Sequence, residues 1–200
     1  MAEITAAAVN ELRKMTGCGM MDCKKALTEA KGDIVEATDM LRKKGLATLG
    51  KRAGKEAKEG IVDAYIHAGG KIGVLVEVNS ETDFVARSDD FKQFVHDVAL
   101  QVAAGNPLYV RREDVPDDVV QKEVEIYRAQ GIEEGKPDAV LDKIATGRLE
   151  KYYQQVCLLE QTFVKNSDLT INDLLGTVVA KLGENIGIKR FSRYELGENA

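Results

Sequence analysis

Residues 61–79 read "IVDAYIHAGGKIGVLVEVN", and the fold turns on what this stretch becomes. Two β-rich runs, 61–67 and 72–78, flank Gly69-Gly70, a pair that reaches positive φ without steric cost and suits a two-residue loop. The stretch is a β-hairpin. The residues that follow, "VNSETDFVARSDDF" at 78–91, lead from the second strand into a helix. Ser88 is a candidate N-cap, and Asp89 and Asp90 put carboxylates at the positive end of the helix dipole. Phe91, Phe94, Val95, Val98 and Val102 then form one apolar stripe that should lie on the hairpin, with His96 off it.

Working toward the C-terminus, Gly105-Asn106-Pro107 ends that helix. Val120, Val124 and Tyr127, with Pro116 near the start, mark a second helix. Pro137, reached through Gly131 and Gly135, opens a third with Val140, Ile144 and Leu149. These two form an antiparallel helical hairpin over about 117–158 that projects from the sheet. Thr170 is positioned to cap a last helix carrying Leu174, Leu175, Val178 and Leu182, with Gly183 as its stop. Residues 186–195 are β-rich, but Phe191 is one place out of phase with Ile186 and Ile188, which predicts a bulge in a third strand.

Toward the N-terminus, residues 46–59 are rich in Gly, Ala and Lys with little apolar pattern, so a linker is expected there. Before it stand three short helices. Ile4, Ala8, Leu12 and Met15 recur at helical spacing around a Thr5 cap, and the run stops at Gly17. Asp22 is placed to cap a second helix with Ala26, Leu27 and Ala30, ended by Gly32. Asp33 and Glu36 make an Asp form of the capping box ahead of Ile34, Ala37 and Leu41. The class is α+β: a helical bundle over 1–45, the linker, and a core over 60–200 with a three-stranded antiparallel sheet, packing helices and the hairpin.

Composition bounds the function. The 200 residues are 44% apolar and 30% charged, the balance of an ordinary protein that builds a core. No apolar run approaches the roughly 20 residues needed to cross a bilayer. The N-terminus lacks the regions of a signal peptide, so a cytoplasmic address without membrane contact is expected. The net charge is −5, which leaves RNA binding without support. One basic run, Arg42, Lys43, Lys44, Lys51, Arg52, Lys55 and Lys58, is either a solvated linker or a docking surface for an acidic partner. Cys18, Cys23 and Cys157 form no CxxC pair, and with His67 and His96 the only histidines a zinc site is not expected. No phosphate-binding loop, GxGxxG, HExxH or GxSxG motif occurs, so neither a cofactor nor bond-making catalysis is indicated. The carboxylate pairs Asp117-Asp118 and Glu133-Glu134 sit at helix ends or in loops and read as solvated.

What remains is partner surface. Phe84 closely follows a strand, and an aromatic on a rigid support is what an interface anchor needs. Two placements fit the spacing equally: Phe84 beneath the helix of 91–104 as core, or Phe84 outward with Val85 filling the core. Met20 and Met21 are adjacent at a glycine turn, so one of them should be exposed, where a flexible thioether suits an adaptable contact. Arg13 lies on the polar side of the first helix.

The stretches "GCGMMDCKKALTEAKGDIVEATDMLRKKG", "EVNSETDFVAR" and "KLGENIGIKRF", in this order over both parts of the chain, resemble the bacterial elongation factor Ts family. The resemblance implies a ubiquitin-associated-like (UBA-like) fold for the first bundle and a guanine-nucleotide exchange function toward elongation factor Tu. It implies that Asp83 and Phe84 intrude near the GTPase's magnesium site while Thr82 and Val85 shape the loop. It also implies that Arg13, Met20 and Met21 grip a helix of the GTPase, and that His67 presses toward its phosphate-binding loop. Longer members carry two related core units, and in them that histidine and the TDFV motif come from different units. This chain has one, so it resembles a short form whose exposed sheet a second copy would cover, giving a homodimer that binds two GTPase molecules. The rivals are a binding module for a ribosomal, ubiquitin-like or unfolded partner, and an enzyme using Cys18 or Cys157 as nucleophile.

Overall fold

The computed structural model describes residues 4–198. In chain order the elements are α1 (Ala6–Thr16), α2 (Met20–Glu29), α3 (Ile34–Arg52), β1 (Glu59–Ile66), β2 (Ile72–Ser80), α4 (Asp83–Ala86), α5 (Asp89–Gly105), α6 (Asp117–Glu133), α7 (Asp138–Val156), β3 (Thr162–Phe163), β4 (Asn166–Thr170), α8 (Ile171–Leu182) and β5 (Ile186–Glu195).

Local chemistry starts and stops most helices where the sequence suggests. Thr5 accepts from the Ala8 amide, Gly17 closes α1 at φ 68°, and the Asp33 carboxylate accepts from the amides of Val35 and Glu36. Asp22 is not a cap. Gly19 holds that position, and Asp22 lies in the first turn of α2, where its charge still favours the dipole and pairs with Lys44. Leu12, Cys23, Leu27 and Ala37 are buried at the bundle's centre, and Val9 takes the inward place expected of Met15, which is exposed.

The linker expected over 46–59 is much shorter, because α3 continues without a break to Arg52. Just ahead of that stretch, one glycine of α3 serves close packing. A Cβ on Gly45 would stand 3.1 Å from the carbonyl carbon of Gly176, so α3 and α8 meet backbone to backbone. Five of the seven residues of the basic run are paired as well. Arg42 forks onto Asp173 at 2.7 and 2.6 Å, Arg52 and Lys55 reach Glu81 at 3.2 and 3.7 Å, Lys58 reaches Glu56, and Lys44 reaches Asp22.

The three-stranded sheet has the antiparallel order β1-β2-β5. Gly69 and Gly70 take φ of 93° and 68°, within a loop longer than the expected two residues that closes through His67 N–H to the Ile72 carbonyl. The predicted bulge is present: Glu77 pairs with Arg190 and Val78 with Ile188, leaving Lys189 as the extra residue. Val74, Val76 and Val78 face inward against Phe91, Phe94, Val95, Val98 and Val102 of α5, and Ile171, Leu175 and Val179 of α8 join the same core. Burying each such aromatic or aliphatic side chain contributes about 1.5–3 kcal/mol.

The opposite sheet face carries Val62, Ala64 and Ile66 of β1, Leu75 of β2 and Tyr194 of β5, all exposed.

α6 and α7 form the hairpin, rotated by one residue from the expected register. Leu141 and Ala145 point inward while Val140 is 38% exposed. The cause is Gly131, whose missing side chain leaves a notch for Leu141: a Cβ there would lie 2.8 Å from the Leu141 methyl. The β3-β4 ribbon has no counterpart in the sequence reading.

Candidate partner-binding site

β2 ends at Ser80, whose buried hydroxyl donates to the Thr82 carbonyl at 2.9 Å. The next residue, Glu81, accepts from the Asn185 amide at 2.6 Å. That bond, with the charges of Lys55 and Arg52, holds its carboxyl below the ordinary glutamate value. Thr82 gives both its amide and its hydroxyl to Glu184, at 3.0 and 2.7 Å, and its oxygen accepts from Val85 N–H to cap α4. On the far side, the Ser88 hydroxyl donates to the Val85 carbonyl at 2.7 Å. This single helical turn is therefore fastened at both ends to β2, to the approach to β5 and to the start of α5.

The two placements open to Phe84 are resolved by what covers the turn. Val85 is 6% exposed and Ala86 3%, both in the main core, whereas Phe84 is 83% exposed. Asp83 stands beside it, also exposed and paired with Arg87 at 2.7 Å. An aromatic side chain presented to water on a turn this constrained is ready for a partner's pocket with little ordering left to lose.

Met20 and Met21 are 53% and 75% exposed, so both point outward and not one alone. They open α2 ahead of Cys23, Ala26 and Leu27, which supply its whole inward face. Arg13 is exposed on α1. Met15 and Val35 are exposed apolar residues of the same bundle that spacing had assigned inward or left unremarked.

His67 sits just beyond β1, exposed, with its Nδ1 3.0 Å from the Tyr65 hydroxyl. It is not brought to Phe84. In the hairpin register Glu59 pairs with Ser80 and Ile66 with Gly73. The TDFV turn and His67 thus lie at opposite ends of an eight-residue strand, roughly 25 Å apart at about 3.3 Å per residue.

The cysteines offer no nucleophile. All three are buried and free, and burial pushes the Cys157 thiol up to about 11 and raises that of Cys18. Cys157 is fully enclosed. Among the described residues no group of three His, Cys, Asp or Glu side chains is arranged to hold a metal, and no helix is long and apolar enough to cross a membrane.

A family model described as "Elongation factor TS" matches residues 3–198. The chain is 63% identical over 195 residues to an elongation factor Ts from Moorella thermoacetica, covering 98% of this chain and 96% of that protein. It is 60% identical to one from Carboxydothermus hydrogenoformans, with 98% and 90% covered, and 57% identical to one from Geobacter sulfurreducens, with the same coverage.

Proposed function

The chain belongs to the elongation factor Ts family, whose members serve translation elongation as nucleotide exchange factors for elongation factor Tu, and from that membership we propose how its residues do so. Phe84, with Asp83, enters the GTPase beside its magnesium site and displaces the elements that hold the cation. Thr82 and Val85 hold the wedge: one anchors the turn to Glu184, the other roots it in the core. Arg13, Met20 and Met21 of the UBA-like bundle grip a helix of the GTPase. The single observation that carries this reading is an 83% exposed phenylalanine on a turn fastened at both ends.

Release follows by linkage. A factor that binds the empty GTPase more tightly than the GDP-bound one weakens GDP by the same ratio by which GDP weakens the factor. Losing magnesium exposes the phosphate charge the cation had neutralised. No residue of this chain needs to touch the nucleotide, and no bond is made or broken.

Stopped-flow release of a fluorescent GDP from elongation factor Tu tests the proposal. The wild type should accelerate release. Phe84→Ala should lose roughly 10- to 100-fold of the acceleration, as expected for an anchor worth about 2 kcal/mol, with an unchanged melting temperature because Phe84 supports nothing in the core. Acceleration that survives the substitution would remove the wedge, and no acceleration by either protein would leave a binding module.

We further propose that two copies pair through the outer sheet face to form a cytoplasmic homodimer. Support comes from the contiguous exposed side chains Val62, Ile66, Leu75 and Tyr194. It also comes from the separation of Phe84 and His67 within one copy. A single GTPase then meets Phe84 of one copy and His67 of the other, near its phosphate-binding loop.

A further inference from the structure

We propose that Tyr65 is a positioning residue for His67, fixing the imidazole so that one ring nitrogen is occupied and the other is offered outward to the partner. This rests on the reading of His67 as a contact to the GTPase and adds the group that makes the contact specific.

Tyr65 stands on the inner side of β1 opposite Val74, packed against the main core. Its ring meets the His96 ring of α5 edge-on, with centroids 5.6 Å apart and planes at 78°. The phenol is thus part of the rigid body of the sheet and helix. Two residues on, His67 lies just past the strand. Its amide donates to the Ile72 carbonyl and its carbonyl accepts from Gly70 N–H, both at 2.9 Å, so the backbone beneath the imidazole is fixed on both sides. What would be left free is the ring. The Tyr65 hydroxyl reaches its Nδ1 at 3.0 Å, and the two rings lie 6.1 Å apart at 47°.

A neutral imidazole has one donor and one acceptor nitrogen, so the Tyr65 hydroxyl either donates to Nδ1 or accepts from it, and the proposed arrangement is the first of these. With Tyr65 O–H donating to Nδ1, the imidazole proton resides on Nε2, the nitrogen that Tyr65 leaves free. His67 then presents one oriented N–H donor, matched to an acceptor oxygen on the GTPase. Without the hydroxyl, an exposed histidine samples other ring orientations and both tautomers, and a contact must select among them.

Tyr65→Phe removes the hydroxyl and keeps the ring, so its packing on the core and on His96 is retained. In nitrogen-15 spectra the wild-type His67 ring should show one dominant Nε2–H tautomer, and Tyr65→Phe a mixture. In stopped-flow GDP release at saturating factor, Tyr65→Phe should lower the maximal rate by about two- to tenfold, the loss expected for one hydrogen bond. In a His67→Ala background the same change should do nothing further, because Tyr65 acts only through His67. A ring spectrum unchanged by Tyr65→Phe, or a loss that persists when His67 is already alanine, would overturn the positioning role. If His67→Ala releases GDP as fast as the wild type, the reading of His67 itself falls and this inference with it. If His67→Ala is slow and Tyr65→Phe is not, only the inference falls.

Discussion

Asp173 is a carboxylate with a 3% exposed side chain that answers two partners at once. One oxygen accepts from Arg42 Nε at 2.7 Å; the other accepts from Arg42 Nη2 at 2.6 Å and from the Thr170 amide and hydroxyl at 2.9 and 2.7 Å. It closes the capping box of α8 and ties α3 to that helix in one stroke. Asp173→Ala should therefore cost about 2 kcal/mol in urea unfolding, through a lost cap and a broken ion pair whose arginine is half exposed to solvent. Burial alone would raise this carboxyl's pKa, but the bonds from Arg42 and Thr170 prevail and hold it below the ordinary value. Because the folded value is the depressed one, the stabilisation is fully present above the unfolded carboxylate's pKa of about 4 and is lost as pH falls through the folded value. The stability gap between wild type and Asp173→Ala should be flat at neutral and weakly acidic pH and close as the solution is acidified further. The Thr170 cap was legible in the sequence, but the pairing with Arg42 was not, since Arg42 stands 131 positions away. The same holds for Phe84 and Val85: two adjacent apolar residues in one helical turn are interchangeable until the covering helix and strand are known.

At the scale of elements, most caps and the inward stripe of α5 were readable, whereas the cap of α2 and the packing register of α7 were not. Thr5, Asp33, Ser88 and Thr170 act within a few residues of themselves, so their chemistry is written locally. The continuation of α3 through Gly45 depends on Gly176 in another helix, and the rotation of α7 depends on the notch at Gly131. Gly176→Ala makes the dependence measurable. A Cβ there would stand 3.0 Å from the Gly45 carbonyl carbon, so α3 and α8 must separate. The variant should lose about 1–3 kcal/mol to overpacking, outweighing the roughly 1 kcal/mol that alanine gains over glycine in helix propensity. Gly50→Ala, in the same α3 with nothing within 4 Å of the new methyl, should instead gain about 0.5–1 kcal/mol. Chemical denaturation of the two variants should give opposite signs.

For the whole molecule, the outer sheet face is the surface through which the proposed pairing of two copies would run. The Arg190–Glu77 pair crosses it at 2.7 Å among Val62, Leu75 and Tyr194, so a second copy related by a two-fold axis would find both apolar area and complementary charge on an identical surface. Leu75→Glu keeps the inner core intact and places an unpaired charge on that face. In sedimentation velocity the wild type should run as a dimer and Leu75→Glu as a monomer. A wild type that sediments as a monomer at micromolar concentration would exclude the pairing.

Helix α3 also acts as a gauge bar. Its 19 residues span about 28 Å at 1.5 Å each. Ala37 and Leu41 near one end are embedded in the bundle, while Arg52 at the other pairs with Glu81, the residue just before Thr82. The methionines of the bundle and the Phe84 turn are thereby set at one distance with no joint between them. On the proposed reading, a GTPase seated on the bundle would leave Phe84 no volume to search, and its insertion would proceed at an effective concentration set by geometry alone. A flexible break in α3 would leave each contact chemically whole yet turn one cooperative engagement into two independent, weaker ones.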